Sequence, residues 1–208
     1  MAIRSLGIIG GTFNPIHYGH LIAAEFTREA FALDRIIFVP SCRPPHKNPE
    51  EILDSRHRLA MVEIAVRGNP FFSVSTLEID RQGLSYSVET VDSIRSMHPG
   101  TNLYFILGID AFMLMNTWKD TERLAELCSM IVVTRPGYEL NPADECFAGV
   151  PLLMWQKMEV IAIPGFEISS SAIRERVAQR KTIRYLLPSG VEDYIHTNQL
   201  YRGDPDDL

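Results

Sequence analysis

Apolar residues along the chain fall into two alternating patterns. Short, nearly continuous runs of Ile, Val, Leu and Phe occupy residues 3–9, 35–39, 72–75, 103–107, 131–134 and 160–163. Runs with so little polar alternation predict strands covered on both faces. Between them, residues 21–31, 55–66, 87–97, 121–128 and 170–179 can be laid out as helices. Val88, Val91 and Ile94 form the apolar stripe of one, and Leu59, Val62 and Val66 that of another. Asp54, Asp120 and Ser169 read as N-caps and Gly68 as the stop of the second helix, while Pro188-Ser189-Gly190 breaks the chain before a last short helix at 191–197. The alternation predicts an α/β fold, a Rossmann-like parallel sheet with helices on both faces.

Two segments resist the scheme. Residues 41–53 contain Pro44, Pro45 and Pro49, and residues 136–151 contain three prolines and two glycines. Such composition marks loops, and loops at the carboxyl edge of an open sheet are where ligands bind. For the second segment a plain surface excursion is an equally good reading.

Composition narrows the function classes. A length of 208 residues suits one domain over 1–208, and 46% hydrophobic with 22% charged residues is ordinary for a globular protein. The net charge of −6 argues against a nucleic acid polymer as partner but leaves small phosphorylated ligands open. Cys42, Cys128 and Cys146 fit neither a disulfide framework nor a zinc site, and read as free thiols of a reducing cytoplasm. The apolar start at 3–9 is far shorter than the ~18 residues a membrane span requires, and no export signal is visible.

The candidate chemistry begins where the first strand ends. Gly10-Gly11-Thr12 can turn backbone N–H groups toward an anion, although a Gly-Gly after a strand is often only a turn. His17-Tyr18-Gly19-His20 follows, and a helical turn there puts both imidazoles on one side, beside the positive end of the helix dipole. A metal pair or two structural histidines are the alternatives; no third ligand lies nearby in sequence, which disfavours zinc. Far downstream, Ser169-Ser170-Ser171 opens a helix bearing Arg174. Serines there serve as caps, as phosphate donors or as both, and an arginine one turn in can meet phosphate oxygens bidentately.

Together these two segments resemble the paired signatures of the nucleotidylyltransferase superfamily. Within it the chain looks like the bacterial nicotinate mononucleotide adenylyltransferases over nearly its whole length. The supporting residues are Pro44-Pro45-His46-Lys47, Ser85-Tyr86-Ser87, Gly108-Ile109-Asp110 with Trp118-Lys119, Thr134-Arg135-Pro136-Gly137 and the ending Leu200-Tyr201-Arg202. Two positions depart from the family pattern: Asn14 stands where the family commonly has Asp, and Ser87 where it commonly has Thr.

The resemblance implies adenylyl transfer from ATP to nicotinate mononucleotide, giving nicotinate adenine dinucleotide and pyrophosphate, a step of NAD biosynthesis. It implies His17, His20 and Arg174 as catalytic groups. The ATP side would further include Gly10, Gly11, Thr12, Phe13, Gly108, Asp110, Arg135, Ser169, Ser170 and Ser171. The mononucleotide would meet Asn14, Lys47, Ser85, Tyr86, Ser87 and Trp118. Mg²⁺ would arrive on the ATP phosphates with no protein metal site, and the enzyme would be a monomer or homo-oligomer. Another nucleotidylyltransferase, specific for phosphopantetheine or a cytidylyl transfer, and a non-catalytic nucleotide-binding regulator are the competing readings; Asn14 is the one hint of the latter.

Overall fold

The computed structural model describes residues 3–202 apart from Glu139 and Phe166. Among the described residues six strands form one sheet: β1 (Ser5–Gly11), β2 (Arg35–Pro40), β3 (Phe72–Val74), β4 (Asn102–Gly108), β5 (Ser129–Thr134) and β6 (Met158–Ala162). All neighbours pair in parallel, in the order β3-β2-β1-β4-β5-β6. The order reverses between β1 and β4, so the connections leaving these two strands diverge and open a crevice at their carboxyl ends. Gly10 and Gly11 end one strand and Gly108 the other.

The helices are α1 (Tyr18–Ala30), α2 (Ser55–Val66), α3 (Leu77–Arg81), α4 (Ser87–Met97), α5 (Ile109–Phe112), α6 (Thr121–Leu127), α7 (Leu152–Gln156), α8 (Ser170–Ala178) and α9 (Ser189–Thr197). Side chains alternate across a strand, and the core accordingly splits in two. Leu6, Ile8, Val39, Phe105 and Val132 join Val91 and Ile94 of α4 and Leu124 of α6 on one face. Ile9, Phe38, Ile106 and Ile131 join Met61 and Val62 of α2, Ile173 of α8 and Val191 of α9 on the other. The four inner strands are covered on both faces, as their apolar runs predict, whereas the edge strand β6 is largely open, with Val160 46% exposed, and β3 is only partly covered. No described helix is long and apolar enough to cross a membrane.

All six expected strands are present with shifted ends, and the three expected caps hold: Asp54 accepts from the N–H of Arg56, Asp120 from Arg123 and Ser169 from Ala172. Three details differ. The first helix begins at Tyr18 rather than at residue 21, so His17-Tyr18-Gly19-His20 is itself its opening turn. The last begins at Ser189, with Pro188 as its N-cap, rather than at residue 191. The segment 136–151 is more than a surface excursion, because Phe147 is buried and packs on Phe112 and Trp155, with ring centroids 5.3 and 5.5 Å away.

Candidate active site

A cavity of about 700 Å³ occupies the crevice beyond β1 and β4. On one side, the segment after β1 runs into α1. His17 is the N-cap of that helix, and its backbone N–H donates to Nδ1 of His20 at 3.2 Å. Since Nδ1 of His20 is an acceptor, the neutral ring carries its proton on Nε2. The two imidazoles lie against each other with centroids 3.8 Å apart, and Phe13 meets the His20 ring edge-on at 5.1 Å. Gly19 makes this stack possible: a Cβ there would come within 3.0 Å of Cε1 and Nδ1 of His17. Gly11 plays the same part beside Phe13, whose ring would lie 2.9 Å from an added Cβ.

Both histidines are neutral at pH 7. Burial lowers the pKa of His17 to about 4. Burial, then the neighbouring His17 and Lys47, hold His20 well below the usual imidazole value. Nδ1 of His17 is buried without a hydrogen-bond partner among the described residues. An orphaned polar atom in a cavity wall is a position for a ligand or water to satisfy.

The start of α8 closes this side. Ser169 caps the helix, while Oγ of Ser170 donates to the carbonyl of Pro15 at 2.8 Å and ties α8 to the loop after β1. Arg174 donates from Nη1 to the carbonyl of Asn14 at 3.0 Å. The structure therefore brings Ser169, Ser170 and Ser171 to the cavity wall but holds Arg174 behind it.

The opposite side is assembled from three separate segments. The loop after β2 is joined to the approach to α4: the N–H of Ser85 donates to the carbonyl of Arg43, and the N–H of Cys42 to Oγ of Ser85, both at 2.9 Å. Tyr86 is the N-cap of α4 but makes no side-chain cap hydrogen bond. The first N–H groups of α4 thus begin the helix without that partner, beside Ser85, Tyr86 and Ser87 in the wall. Trp118 packs edge-on against Phe105 with centroids 6.0 Å apart, and Nζ of Lys119 sits 4.3 Å over the Tyr86 ring. Lys47 also lines the cavity, and its pKa is lowered by burial, then by the guanidiniums of Arg174 and Arg58. Among the described residues none of Lys47, Arg58 and Arg174 forms an ion pair. Of the three only Lys47 lines the crevice, and the two guanidiniums add positive potential from behind its wall.

Of the residues expected from sequence, Gly10, Gly11, Thr12, His17, His20, Gly108, Asp110, Arg135, Ser169, Ser170, Ser171, Lys47, Ser85, Tyr86, Ser87 and Trp118 line one cavity. Phe13, Asn14 and Arg174 do not. Phe13 supports His20 from behind. Asn14 is buried and uses both ends of its amide: Nδ2 donates to the carbonyl of Glu51 at 3.1 Å, and Oδ1 accepts from the hydroxyl of Tyr201 at 2.8 Å. Its side chain braces the loop.

Three residues escaped the sequence reading. Ser41 lines the cavity with a buried hydroxyl that has no partner among the described residues. Glu78, also in the wall, is buried; burial raises its pKa, and Oε1 accepts from Thr90 Oγ1 at 2.5 Å. Arg58 is 1% exposed and donates to the carbonyls of Leu53, Thr12 and Cys42 at 2.8, 2.8 and 3.0 Å. Only Arg58 left a sign in the sequence. It precedes Met61 by three and Val62 by four residues, on the buried stripe of α2.

This geometry agrees with what the chain is similar to. Residues 8–176 match the cytidylyltransferase-like family. A protein of Moorella thermoacetica described as a probable nicotinate-nucleotide adenylyltransferase is 48% identical over 95% of this chain and 91% of its own length. One with the same description from a Thermoanaerobacter species is 46% identical, over 96% and 95%. The fold is shared with the nicotinic acid mononucleotide adenylyltransferase of Plasmodium falciparum solved in complex with NaAD, with a TM-score of 0.77 at 21% identity over 95% of this chain and 97% of that one. The chain belongs to the cytidylyltransferase-like nucleotidyltransferases and, among them, to the nicotinate-nucleotide adenylyltransferases.

Proposed function

We propose that the cavity binds ATP and nicotinate mononucleotide together and joins them into nicotinate adenine dinucleotide. An oxygen of the mononucleotide phosphate attacks the α-phosphorus of ATP. The new P–O bond forms as the bond from that phosphorus to the bridging oxygen of pyrophosphate breaks, and pyrophosphate leaves with the electron pair. The attacking phosphate is already anionic, so no general base is needed; the protein's work is alignment and stabilisation of charge on the α-phosphate oxygens.

His20 is the group assigned to that charge. A neutral imidazole with its proton on Nε2 is a fixed donor, and phosphate charge arriving beside it favours the protonated form as well. His17 and the serines of α8 complete the surroundings of the ATP phosphates, Lys47 is assigned to the mononucleotide phosphate, and Arg174 adds positive potential from behind Asn14. Mg²⁺ enters on the triphosphate as part of the substrate. Tyr86 and Trp118 are assigned to the pyridine ring and the open start of α4 to its carboxylate.

The observation that carries this reading is that one cavity joins the two histidines to a helix start without a side-chain cap, with Lys47 in the same wall. Pyrophosphate release with ATP, Mg²⁺ and nicotinate mononucleotide tests it. Binding without release would favour the non-catalytic reading, whose one hint, Asn14, has a structural explanation in its bonds to Glu51 and Tyr201. Equal kcat/KM for the nicotinate and nicotinamide mononucleotides would remove the carboxylate assignment.

A further inference from the structure

We infer that Arg58 is a positioning residue that sets the separation of the two substrates. It rests on the two-substrate reading above. Thr12 follows β1 in the segment that carries His17 and His20, and Cys42 follows β2 in the segment that carries Lys47. These are adjacent parallel strands, and beyond their ends little sheet pairing keeps the two segments in register: the N–H of Ser41 donates to the carbonyl of Gly11 at 2.9 Å. One residue further on, the guanidinium of Arg58 takes over. Nη1 holds the Thr12 carbonyl at 2.8 Å, Nη2 the Cys42 carbonyl at 3.0 Å and Nε the Leu53 carbonyl at 2.8 Å.

The planar fork has a fixed angle between its donors, so the two carbonyls cannot drift apart without breaking a bond. No carboxylate lies within ion-pair distance of it among the described residues. A buried guanidinium is costly to keep, and one bonded only to main-chain carbonyls of three segments is placed to hold those segments. Either segment can still bind its own ligand once the fork is gone, but the attacking oxygen and the α-phosphorus lose their shared frame.

Arg58→Lys keeps the charge and most of the volume but offers a single nitrogen, which cannot span three carbonyls. For this variant kcat is expected to fall roughly 10²-fold, the scale of a ~1 Å misplacement of reactants. Equilibrium binding of a non-hydrolysable ATP analogue alone and of the mononucleotide alone should each stay within about threefold of the original protein. Amide hydrogen exchange in the unliganded protein should rise in residues 11–14 and 41–44 and stay unchanged in α9. Unchanged kcat, loss of analogue binding in proportion to kcat, or a variant that does not fold would each overturn the proposal. The exchange measurement does not depend on the substrates, so a protein that makes no dinucleotide would sink the functional reading while leaving the role of Arg58 to be decided by exchange.

Discussion

The two sides of the cavity are built on opposite plans. The histidine side comes from one contiguous segment and one distant helix start, and apart from the buried Nδ1 of His17 its polar groups are mostly engaged with each other. His20 accepts from His17, Ser169 caps α8, Ser170 bonds Pro15, and Arg174 bonds Asn14. The acceptor side comes from three segments, begins α4 without a side-chain cap and leaves the Ser41 hydroxyl without a partner among the described residues. The difference teaches where each job is done. Charge on a reacting phosphate calls for donors fixed in advance, because donors that must reorient at the transition state lose much of their effect. Selection of a ring substrate is better served by groups whose unmet hydrogen bonds the right ligand completes.

The sharpest way to break the comparison is at His20. His20→Ala should lower kcat by about 10²-fold or more, a loss of roughly 3 kcal/mol at the transition state, with a smaller change in the mononucleotide KM. Steady-state kinetics on the folded variant decide. Near-normal turnover would mean that the fixed side is scaffolding. Gly19→Ala tests the same stack through the backbone, because its methyl group would press on the His17 ring.

A second prediction concerns pH. In the unfolded chain His17 takes up a proton as pH falls below its usual 6.5, whereas in the folded protein burial delays this to about 4. The unfolded state therefore binds more protons between these values, so stability is complete above pH 6.5 and is lost as pH falls toward 4. The contribution of His17 is on the order of 3 kcal/mol, and His20 acts in the same direction. Denaturant unfolding at pH 7.5 and 4.5, compared with His17→Gln, isolates it. The variant should have the flatter profile; equal profiles would show that the ring titrates freely. ATP should flatten the contrast, because phosphate charge favours the protonated imidazoles and brings proton uptake by the folded state closer to that of the unfolded chain.

On the open side the effects are smaller and fall on binding. Trp118→Ala should raise the KM for the mononucleotide ~10-fold while moving that for ATP by less than ~2-fold, with Trp118→Phe close to the original. A parallel rise in both would mean that Trp118 only supports Phe105.

The same contrast governs what the sequence revealed. Strands buried on both faces announce themselves by composition, and α2, α6 and α8 by their cap residues. The contiguous histidine segment was legible because its chemistry lies within eleven residues, although the start of α1 was not, since a glycine and two histidines are weak helix formers. Helices α3, α5 and α7 are too short to show a period. What lay hidden is long-range. Glu78 stands between Leu77 and Ile79 with no local pattern to mark it, and only folding closes Ser85 and Thr90 around its position. Arg174 was expected at the phosphates, but its guanidinium bonds a carbonyl 160 residues away in sequence. The role of Asn14 depends on Glu51 and Tyr201, which no local pattern connects to it.

Asn14 supplies the smallest effect and the finest test of where the cavity ends. Asp in its place would keep the acceptor for the Tyr201 hydroxyl but lose the donor to the Glu51 carbonyl, setting two acceptors against each other. The loss is on the order of 1 kcal/mol of stability. Attraction of the new carboxylate to Arg174, already bonded to the residue 14 carbonyl, offsets part of it. Because the side chain faces the loop interior, Asn14→Asp should leave kcat within about threefold and the Mg²⁺ concentration for half-maximal rate unchanged within about twofold, well below the ~10-fold expected of a carboxylate reaching a metal or its bound waters. Titration of the rate with Mg²⁺ at saturating nucleotide distinguishes these. A tenfold gain in apparent Mg²⁺ affinity would place residue 14 in the metal's surroundings, and the fixed side would then be open at a point where both ends of the side-chain amide are bonded.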